Sequence, residues 1–153
     1  MVVDTIGKPA NMSLNMVKSA ADFYANYLLG PKLSKNITLT IKFEKYPRGS
    51  NDYAECIWKY INHCSRDFEI TIDRRLCRRE MLLALAHEMV HLKQYAKGEL
   101  KDYIKPARMI GWMGEKYLEE EIDYWEQPWE IEAYGREKGL YFKFMSHWRG
   151  YEV

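Results

Sequence analysis

The segment from Cys77 to Lys97 constrains the fold most strongly, because its apolar residues recur at the spacing of one helical face. A glycine follows in the sequence AKG, which is typical of a helix C-terminus. We therefore predict a long helix that is buried along one face and central to the fold. The apolar residues of this face are Met81, Leu82, Leu85, Ala86, Met89, Val90 and Leu92.

Two histidines and a glutamate lie inside this predicted helix, in the sequence HEMVH. His87 and His91 are four positions apart, so both imidazoles face one side of the helix and can bind one metal ion. Zinc accepts such ligands, and a catalytic zinc site usually takes three from the protein and a water in the fourth position. Glu88 projects about 100° around the helix from His87, where its carboxylate can accept a proton from that water. The pattern predicts a zinc site with Glu88 as general base.

Such a short pattern can also arise by chance inside an ordinary amphipathic helix. Three features favour the metal site: the pattern falls within the best-defined helix, it follows the predicted edge strand FEITID, and its surroundings are apolar. Two core-side histidines beside an acid would be costly to bury if no metal satisfied them.

The sequence after His91 excludes one class of zinc peptidase. Gln94 and Lys97 stand where the metzincin motif HExxHxxGxxH has its glycine and its third histidine. The remaining imidazoles are those of His63, in a polar turn, and His147, near the end of the last predicted helix.

Carboxylates in the segment QPWEIEAYGRE offer better candidates for a third ligand. Glu130 lies on a mostly apolar helical stripe, whereas Glu132 lines up with Arg136 and Lys143 on a charged stripe. We therefore predict Glu130 as the third metal ligand, with Glu132 and His147 as alternatives. Both glutamates also suit the first turn of a helix, where the helix dipole favours acids.

HEMVH followed by PWEIEAY resembles the pattern of compact gluzincin peptidases, in which an E-x-E-A element supplies an acidic ligand. ImmA/IrrE-like peptidases, minigluzincins and short phage-encoded zincins have similar arrangements, and SprT-like proteases share the strand before the HExxH helix. The resemblance implies zinc binding by His87, His91 and Glu130 and general-base catalysis by Glu88. It departs from the pattern at Tyr134, where related families often have a supporting Asp or Asn.

Peptide hydrolysis also needs a hydrogen-bond donor for the oxyanion that develops in the transition state. Tyr134 follows Glu130 by one helical turn, and we predict it as this donor. Other residues chemically able to serve are Tyr95, Tyr117, Tyr124 and His147.

The rest of the chain supplies two more helices and three strands. SLNMVKSAADFYANYLLG predicts a helix that ends at Gly30, and a helix is predicted from Pro128 onward. The strands are predicted in NITLTIKFEKY, YAECIWKYI and DFEITIDR. ELKDYIKPARMIGWMGEKYLEEEIDYWEQ has no clean period and is predicted to form a short hairpin or loop. We expect one α+β domain over residues 1–153, with a three-stranded antiparallel sheet on the central helix, as in zincins.

Composition limits the kinds of partner. The chain has 153 residues, of which 47% are hydrophobic and 29% charged, as is usual for a folded domain. Lys plus Arg (23) nearly equals Asp plus Glu (22), which removes the simplest argument for a nucleic-acid or membrane partner. Neither a signal peptide nor a membrane-spanning run is recognisable, so we expect a cytoplasmic protein. Three cysteines without CxxC spacing are expected to be unpaired thiols.

Two basic segments have alternative interpretations. In YIKPARMIGWMGEKY, Trp112 with Lys105, Arg108 and Lys116 would suit base stacking, but we favour a hairpin that packs Trp112 onto the core. The arginines of DRRLCRRE are expected to form the solvated start of the central helix, with a phosphate or acidic partner as the alternative.

The sequence therefore favours a zinc peptidase whose peptide substrate adds as a strand along the edge of FEITID. One competing hypothesis is a binding module of the same fold that contacts protein or nucleic acid without catalysis. Another is a zinc amidase that acts on a non-protein amide.

Overall fold

The computed structural model describes residues 1–59, 65–103 and 109–150, which leaves His63, Cys64, Lys105 and Arg108 outside the described residues. Its fold is α+β, as predicted. The strands are β1 (Val2–Ile6), β2 (Thr38–Glu44), β3 (Ala54–Trp58), β4 (Asp67–Asp73), β5 (Leu100–Tyr103), β6 (Met109–Trp112) and β7 (Glu115–Leu118). The α-helices are α1 (Leu14–Ser34), α2 (Arg78–Ala96) and α3 (Pro128–Trp148), and two short 3-10 helices cover Glu119–Glu121 and Tyr124–Glu126.

All three predicted α-helices form, and each begins with a local signal in the sequence. The hydroxyl of Ser13 accepts a hydrogen bond from the backbone N–H of Met16 (3.2 Å) at the start of α1. Gly30, with φ of 77°, interrupts the regular part of α1 at the predicted end. The carboxylate of Glu80 accepts from the N–H of Cys77 (3.0 Å) at the start of α2. Pro128 occupies the first turn of α3.

The main sheet has four strands in the order β1-β2-β4-β3 and is mixed. β1, β2 and β4 run parallel, and only β3 is antiparallel to its neighbour β4. The prediction of an antiparallel sheet from β2, β3 and β4 is therefore wrong, and the sequence reading also missed β1. The burial of β2 is the physical reason: four of its seven residues are buried, three of them in succession, so both faces are covered, as is typical of strands in parallel sheets.

The pairing of β4 also corrects the position of the sheet edge. FEITID belongs to β4, which pairs with β2 on one side and with β3 on the other. It is a central strand, so the prediction that FEITID forms an edge is wrong. The edge on this side of the sheet is β3, which lies against α2.

A three-stranded antiparallel sheet does occur, but in the segment predicted as a hairpin or loop. β6 is its middle strand and pairs with β5 and β7. One face of this small sheet covers the buried side chain of Trp129 at the start of α3. Trp112 is packed in this cluster, 6.3 Å between ring centroids from Trp129, which confirms the packing interpretation of this tryptophan.

The main core lies between the four-stranded sheet and the three α-helices. All seven apolar residues predicted for the buried face of α2 lie in this core, and Phe144 brings α3 into it. The largest fully buried side chains are Tyr24, Phe68, Phe144, Ile37, Leu39, Ile41, Ile70, Ile72, Met81, Leu82, Leu85 and Met89. This packing fixes α2 and α3 side by side, and the candidate site lies between them.

The arginines before α2 are partly used within the fold. Arg75 binds the carboxylate of Asp73 at 2.7 Å, and Arg74 donates to the backbone carbonyl of Lys8 (3.4 Å). Cys56 and Cys77 are free thiols, as expected. Within the described ranges, no helix is both long and apolar enough to cross a bilayer.

Candidate metal centre

Helix α2 places His87 and His91 on the same buried side, facing α3. Their Nε2 atoms lie 3.2 Å apart, and each side chain is about nine-tenths buried. The one-turn spacing of the two residues is what brings the rings together, because α2 is regular throughout this stretch.

Glu130 of α3 completes the cluster. Its Oε2 lies 3.3 Å from Nε2 of His87, and its Oε1 lies 3.3 Å from Nε2 of His91. One donor atom from each of the three residues lies within 4.8 Å of the others, so His87, His91 and Glu130 can hold a metal ion together. The neighbouring Trp129 is buried under the small sheet, and its backbone carbonyl accepts a hydrogen bond from Gln94 (3.0 Å), which holds the start of α3 against α2.

The two alternative third ligands lie elsewhere. Glu132 accepts hydrogen bonds from Lys93 (2.9 Å) and Gln94 (3.0 Å) and pairs with Arg136 (3.2 Å). The ring of His147 is exposed and packs against Phe23, with 5.0 Å between centroids. Neither residue belongs to the His87, His91 and Glu130 group.

Each histidine is oriented by a hydrogen bond from its second ring nitrogen. Nδ1 of His87 lies 3.0 Å from a carboxylate oxygen of Glu137, and Nδ1 of His91 lies 2.9 Å from the side-chain oxygen of Gln94. When Nδ1 carries the proton, the lone pair of Nε2 is directed at the cluster. Sequence reasoning missed both partners, although Glu137 shares the helical stripe of Glu130 and thus offered a signal.

Charge complementarity holds the group together. Burial opposes the charged form of His87, but hydrogen bonds with Glu130 and Glu137 raise its pKa to about 9. Burial likewise opposes ionisation of Glu130, yet the hydrogen bonds from both histidines keep its pKa below the usual range. In the metal-free site Glu130 is therefore anionic and the histidines favour the protonated form, so a divalent cation that bound here would displace the histidine protons.

Glu88 lies beside the cluster and does not belong to it. Its side chain is 7% exposed and makes no hydrogen bond to another residue in the part of the chain that the structure describes. Burial raises the pKa of Glu88, and the nearby His91 and His87 oppose this effect. Glu88 lines the open cleft beside the cluster, where its carboxyl can accept a proton from a bound molecule.

Two tyrosine hydroxyls reach the cluster region. The hydroxyl of Tyr124 donates to Oε2 of Glu130 (2.9 Å) and lies 3.3 Å from the hydroxyl of Tyr134. The ring of Tyr134 packs edge-on against His87, with 4.5 Å between centroids. Tyr95 instead donates to Asp102 (3.3 Å), and Tyr117 packs beside Trp129. Of the predicted donors, Tyr134 and Tyr124 are therefore the two that lie close to the ligands.

An open cleft runs along α2 on both sides of the histidines. Toward the N-terminus of α2 is a cavity of about 340 Å³, which we name the N-chamber; it is lined by residues that include Glu80, Leu83 and Tyr134. Toward the C-terminus of α2 is a cavity of about 730 Å³, the C-chamber, lined by residues of β3, β5 and β6 and by Trp129. His87, Glu88 and Tyr124 line both chambers, so the cluster lies at their junction.

Comparison with protein-family models, with curated proteins and with solved structures finds no match to this chain.

Proposed function

We propose that this chain is a zinc-dependent peptidase of gluzincin type, with Glu88 as general base. The observation that carries the proposal is the convergence of His87, His91 and Glu130 beside the buried, unpartnered carboxyl of Glu88, at the junction of two chambers. A ligand group, a proton acceptor and space for a substrate thus meet in one place.

The chemistry of the donor atoms favours zinc. Two imidazole nitrogens and one carboxylate oxygen form a common ligand set of catalytic zinc sites, which leave a fourth position for water. When bound there, zinc would lower the pKa of a coordinated water toward about 7 and polarise a substrate carbonyl. The hydrogen bonds of Glu137 and Gln94 to the two histidines supply the outer contacts that such ligands usually have.

The roles of the remaining residues follow from their positions. Glu88 would take a proton from the attacking water on its carboxylate and deliver it to the leaving amine. Its buried environment suits this role, because burial raises the pKa of Glu88 toward the range in which a group both accepts and donates protons. The hydroxyls of Tyr124 and Tyr134 would stabilise the oxyanion. Tyr124 is the more direct candidate because it lines both chambers, and it would exchange its hydrogen bond with Glu130 for one to the oxyanion.

Strand β3 offers the place for an extended peptide. Its outer edge is unpaired within the described sheet, and Ala54, Glu55 and Cys56 line the C-chamber beside the histidines. A peptide added along this edge would satisfy backbone groups of β3 and lie across the cluster. We therefore propose β3, and not FEITID, as the strand to which the peptide substrate adds.

Metal analysis combined with peptide hydrolysis tests the proposal. We expect stoichiometric zinc in the purified wild-type protein and much less in a His87→Ala, His91→Ala double variant or in Glu130→Gln. His147→Ala is the matched control, because this exposed histidine lies outside the cluster, and it should retain zinc. Zinc content that is the same in wild type, the double variant and Glu130→Gln would refute the site.

Glu88→Gln separates catalysis from binding. The variant should retain zinc but hydrolyse peptides at least about a hundredfold more slowly, because general-base catalysis contributes at least that much. If Glu88→Gln retains both zinc and full hydrolysis, Glu88 is not the base. If the zinc-loaded wild type cleaves no peptide in a broad library, the peptidase proposal is wrong, and a binding module or an amidase replaces it.

A further inference from the structure

The C-chamber is lined by acidic side chains that come from separate elements. Glu55 belongs to β3, Asp102 to β5 and Glu119 to the first 3-10 helix. Among the described residues, no lysine or arginine lines either chamber. Because the whole chain has nearly equal numbers of basic and acidic residues, this segregation is a property of the cleft and not of the composition.

These three acidic residues are exposed in the cleft, unlike several carboxylates elsewhere in the fold. Outside the cleft, buried or half-buried carboxylates pair with lysines: Glu69 binds Lys42 at 2.9 Å, and Glu99 binds Lys93 at 2.8 Å. In the described part of the chain, the three carboxyl groups named above make no ion pair with a cation of the protein. No cation of the described residues therefore neutralises the negative potential of these groups, and a cationic side chain entering the C-chamber would be attracted to them.

Asp102 is the most informative of these residues, because it breaks the pattern of its strand. It pairs with Ile110 on the face of the small sheet that carries Leu100 and covers Trp129. An acidic residue on an otherwise apolar face of a sheet departs from the usual alternation of apolar and polar residues. Such positions often have a functional role. Its carboxylate accepts one hydrogen bond, from the Tyr95 hydroxyl at 3.3 Å, and remains open to the C-chamber.

The position of Asp102 relative to the cluster sets its distance from the reacting bond. Its partner Tyr95 follows His91 by one turn of α2, which is about 6 Å along the helix. An extended peptide advances about 3.3 Å per residue. The Tyr95 side chain, whose hydroxyl contacts Asp102, adds to this distance, so a substrate side chain that reaches Asp102 belongs to a residue within a few positions of the scissile bond.

We propose that the C-chamber binds a lysine or arginine side chain of the substrate, within a few residues of the cleaved bond, and that Asp102 is its main specificity determinant. This proposal rests on the proposed peptidase function. Glu119 and Glu55 extend the negative lining on the two sides of the chamber. The substrate class is thus a basic peptide segment, and acidic peptides and nucleic-acid phosphates are disfavoured in this cleft.

The first experiment measures cleavage by the full-length, zinc-loaded protein. A peptide mixture varied at every position is digested, and the cleaved bonds are identified by mass spectrometry. One cleaved sequence is then made in three versions, with lysine, norleucine or glutamate at the position where the cleaved peptides are enriched in basic residues. We expect kcat/KM to decrease in that order, and Asp102→Asn to lower the lysine-to-norleucine ratio by about five- to tenfold. Glu121→Gln, an exposed acid on the 3-10 helix of Glu119, should leave the ratio unchanged.

The second experiment keeps this proposal separable from the peptidase function. Binding of the same three fluorescent peptides to zinc-loaded Glu88→Gln protein is measured with and without Asp102→Asn, at low and high salt. Tighter binding of the lysine peptide, reduced by Asp102→Asn and by salt, supports cation recognition even if no peptide is cleaved. The inference is overturned if the three peptides bind with equal affinity. It is also overturned if Asp102→Asn does not change the ratio of the affinities for the lysine and norleucine peptides.

Discussion

The side-chain oxygen of Gln94 lies 2.9 Å from Nδ1 of His91. The amide nitrogen of the same residue donates to the backbone carbonyl of Trp129 (3.0 Å) and to Glu132 (3.0 Å). Because both acceptors require the amino group, the amide oxygen must face His91 and accept its Nδ1 proton. Gln94 therefore fixes the tautomer of one ligand and links α2 to the start of α3.

The first prediction concerns this link. Gln94→Met keeps the side-chain volume but removes the hydrogen bond, so the orientation of His91 is lost and the Kd for zinc should rise about 10- to 100-fold. Competition with a fluorescent chelator measures the Kd. Lys97→Met is the control, since Lys97 is exposed at the end of the same helix. An unchanged Kd in correctly folded Gln94→Met would show that this contact does not support the ligand.

The second prediction ranks the two tyrosines. Tyr124 lines both chambers and contacts Glu130, whereas Tyr134 lines the N-chamber and contacts the cluster through its ring. We expect Tyr124→Phe to lower kcat about a hundredfold with little change in KM, since it removes an oxyanion donor. Tyr134→Phe should cause a smaller loss.

Zinc content must be equal in wild type and in both variants for this comparison. A larger decrease in kcat for Tyr134→Phe would reverse the ranking and assign the oxyanion to Tyr134, which was the residue favoured by the sequence.

The sequence predicted the parts of the site that have a helical period. His87, Glu88 and His91 lie on the best-defined helix, and Glu130 was separated from Glu132 by the stripe to which each belongs. Tyr124 could not be ranked, because it lies in a segment without a period whose course depends on the small sheet. Contacts of this kind depend on tertiary packing, which single-sequence patterns do not encode.

The strand arrangement shows a different limit. The local pattern located β2, β3 and β4, but it missed β1, a five-residue strand that lies half-exposed beside β2, and it did not give the order or direction of the strands. Nothing within FEITID distinguishes an edge strand from a central strand. The distinction depends on whether a second strand, here β3, pairs with the free side of β4. The sheet class followed from pairing partners that are distant in sequence, so it could not be obtained from each strand alone.

The third prediction compares two phenylalanines of α3. Phe144 is fully buried and contacts the rings of Phe23 (5.7 Å) and Tyr24 (5.8 Å), whereas Phe142 is 59% exposed. Phe144→Ala should lower the free energy of unfolding by about 3–5 kcal/mol, because it removes contacts and leaves a cavity. Phe142→Ala should change it by less than about 0.5 kcal/mol. Urea unfolding of the metal-free proteins measures both values, and similar losses would contradict this packing of α3.

The last prediction concerns the acid sensitivity of the turn before α2. The carboxylate of Asp73 accepts hydrogen bonds from the guanidinium (2.7 Å) and the backbone N–H (2.9 Å) of Arg75 and from the N–H of Tyr46 (3.3 Å). The side-chain hydrogen bond with Arg75 is the main reason that the pKa of Asp73 is lowered to about 2. In the unfolded chain the pKa of an aspartate is about 3.9.

Since the folded pKa lies below the unfolded one, Asp73 stabilises the protein fully above about pH 4 to 5, and this contribution is lost as the pH falls toward 2. Urea unfolding of wild type and Asp73→Asn over a pH series isolates the effect, because all other carboxyl groups are common to both proteins. The difference in unfolding free energy should be constant from pH 5 to 7, the range about one unit or more above the unfolded pKa, and should shrink below about pH 4. A difference that does not depend on pH would mean that Asp73 is not held as an anion by Arg75, and that the turn before the histidine helix is fixed by other contacts.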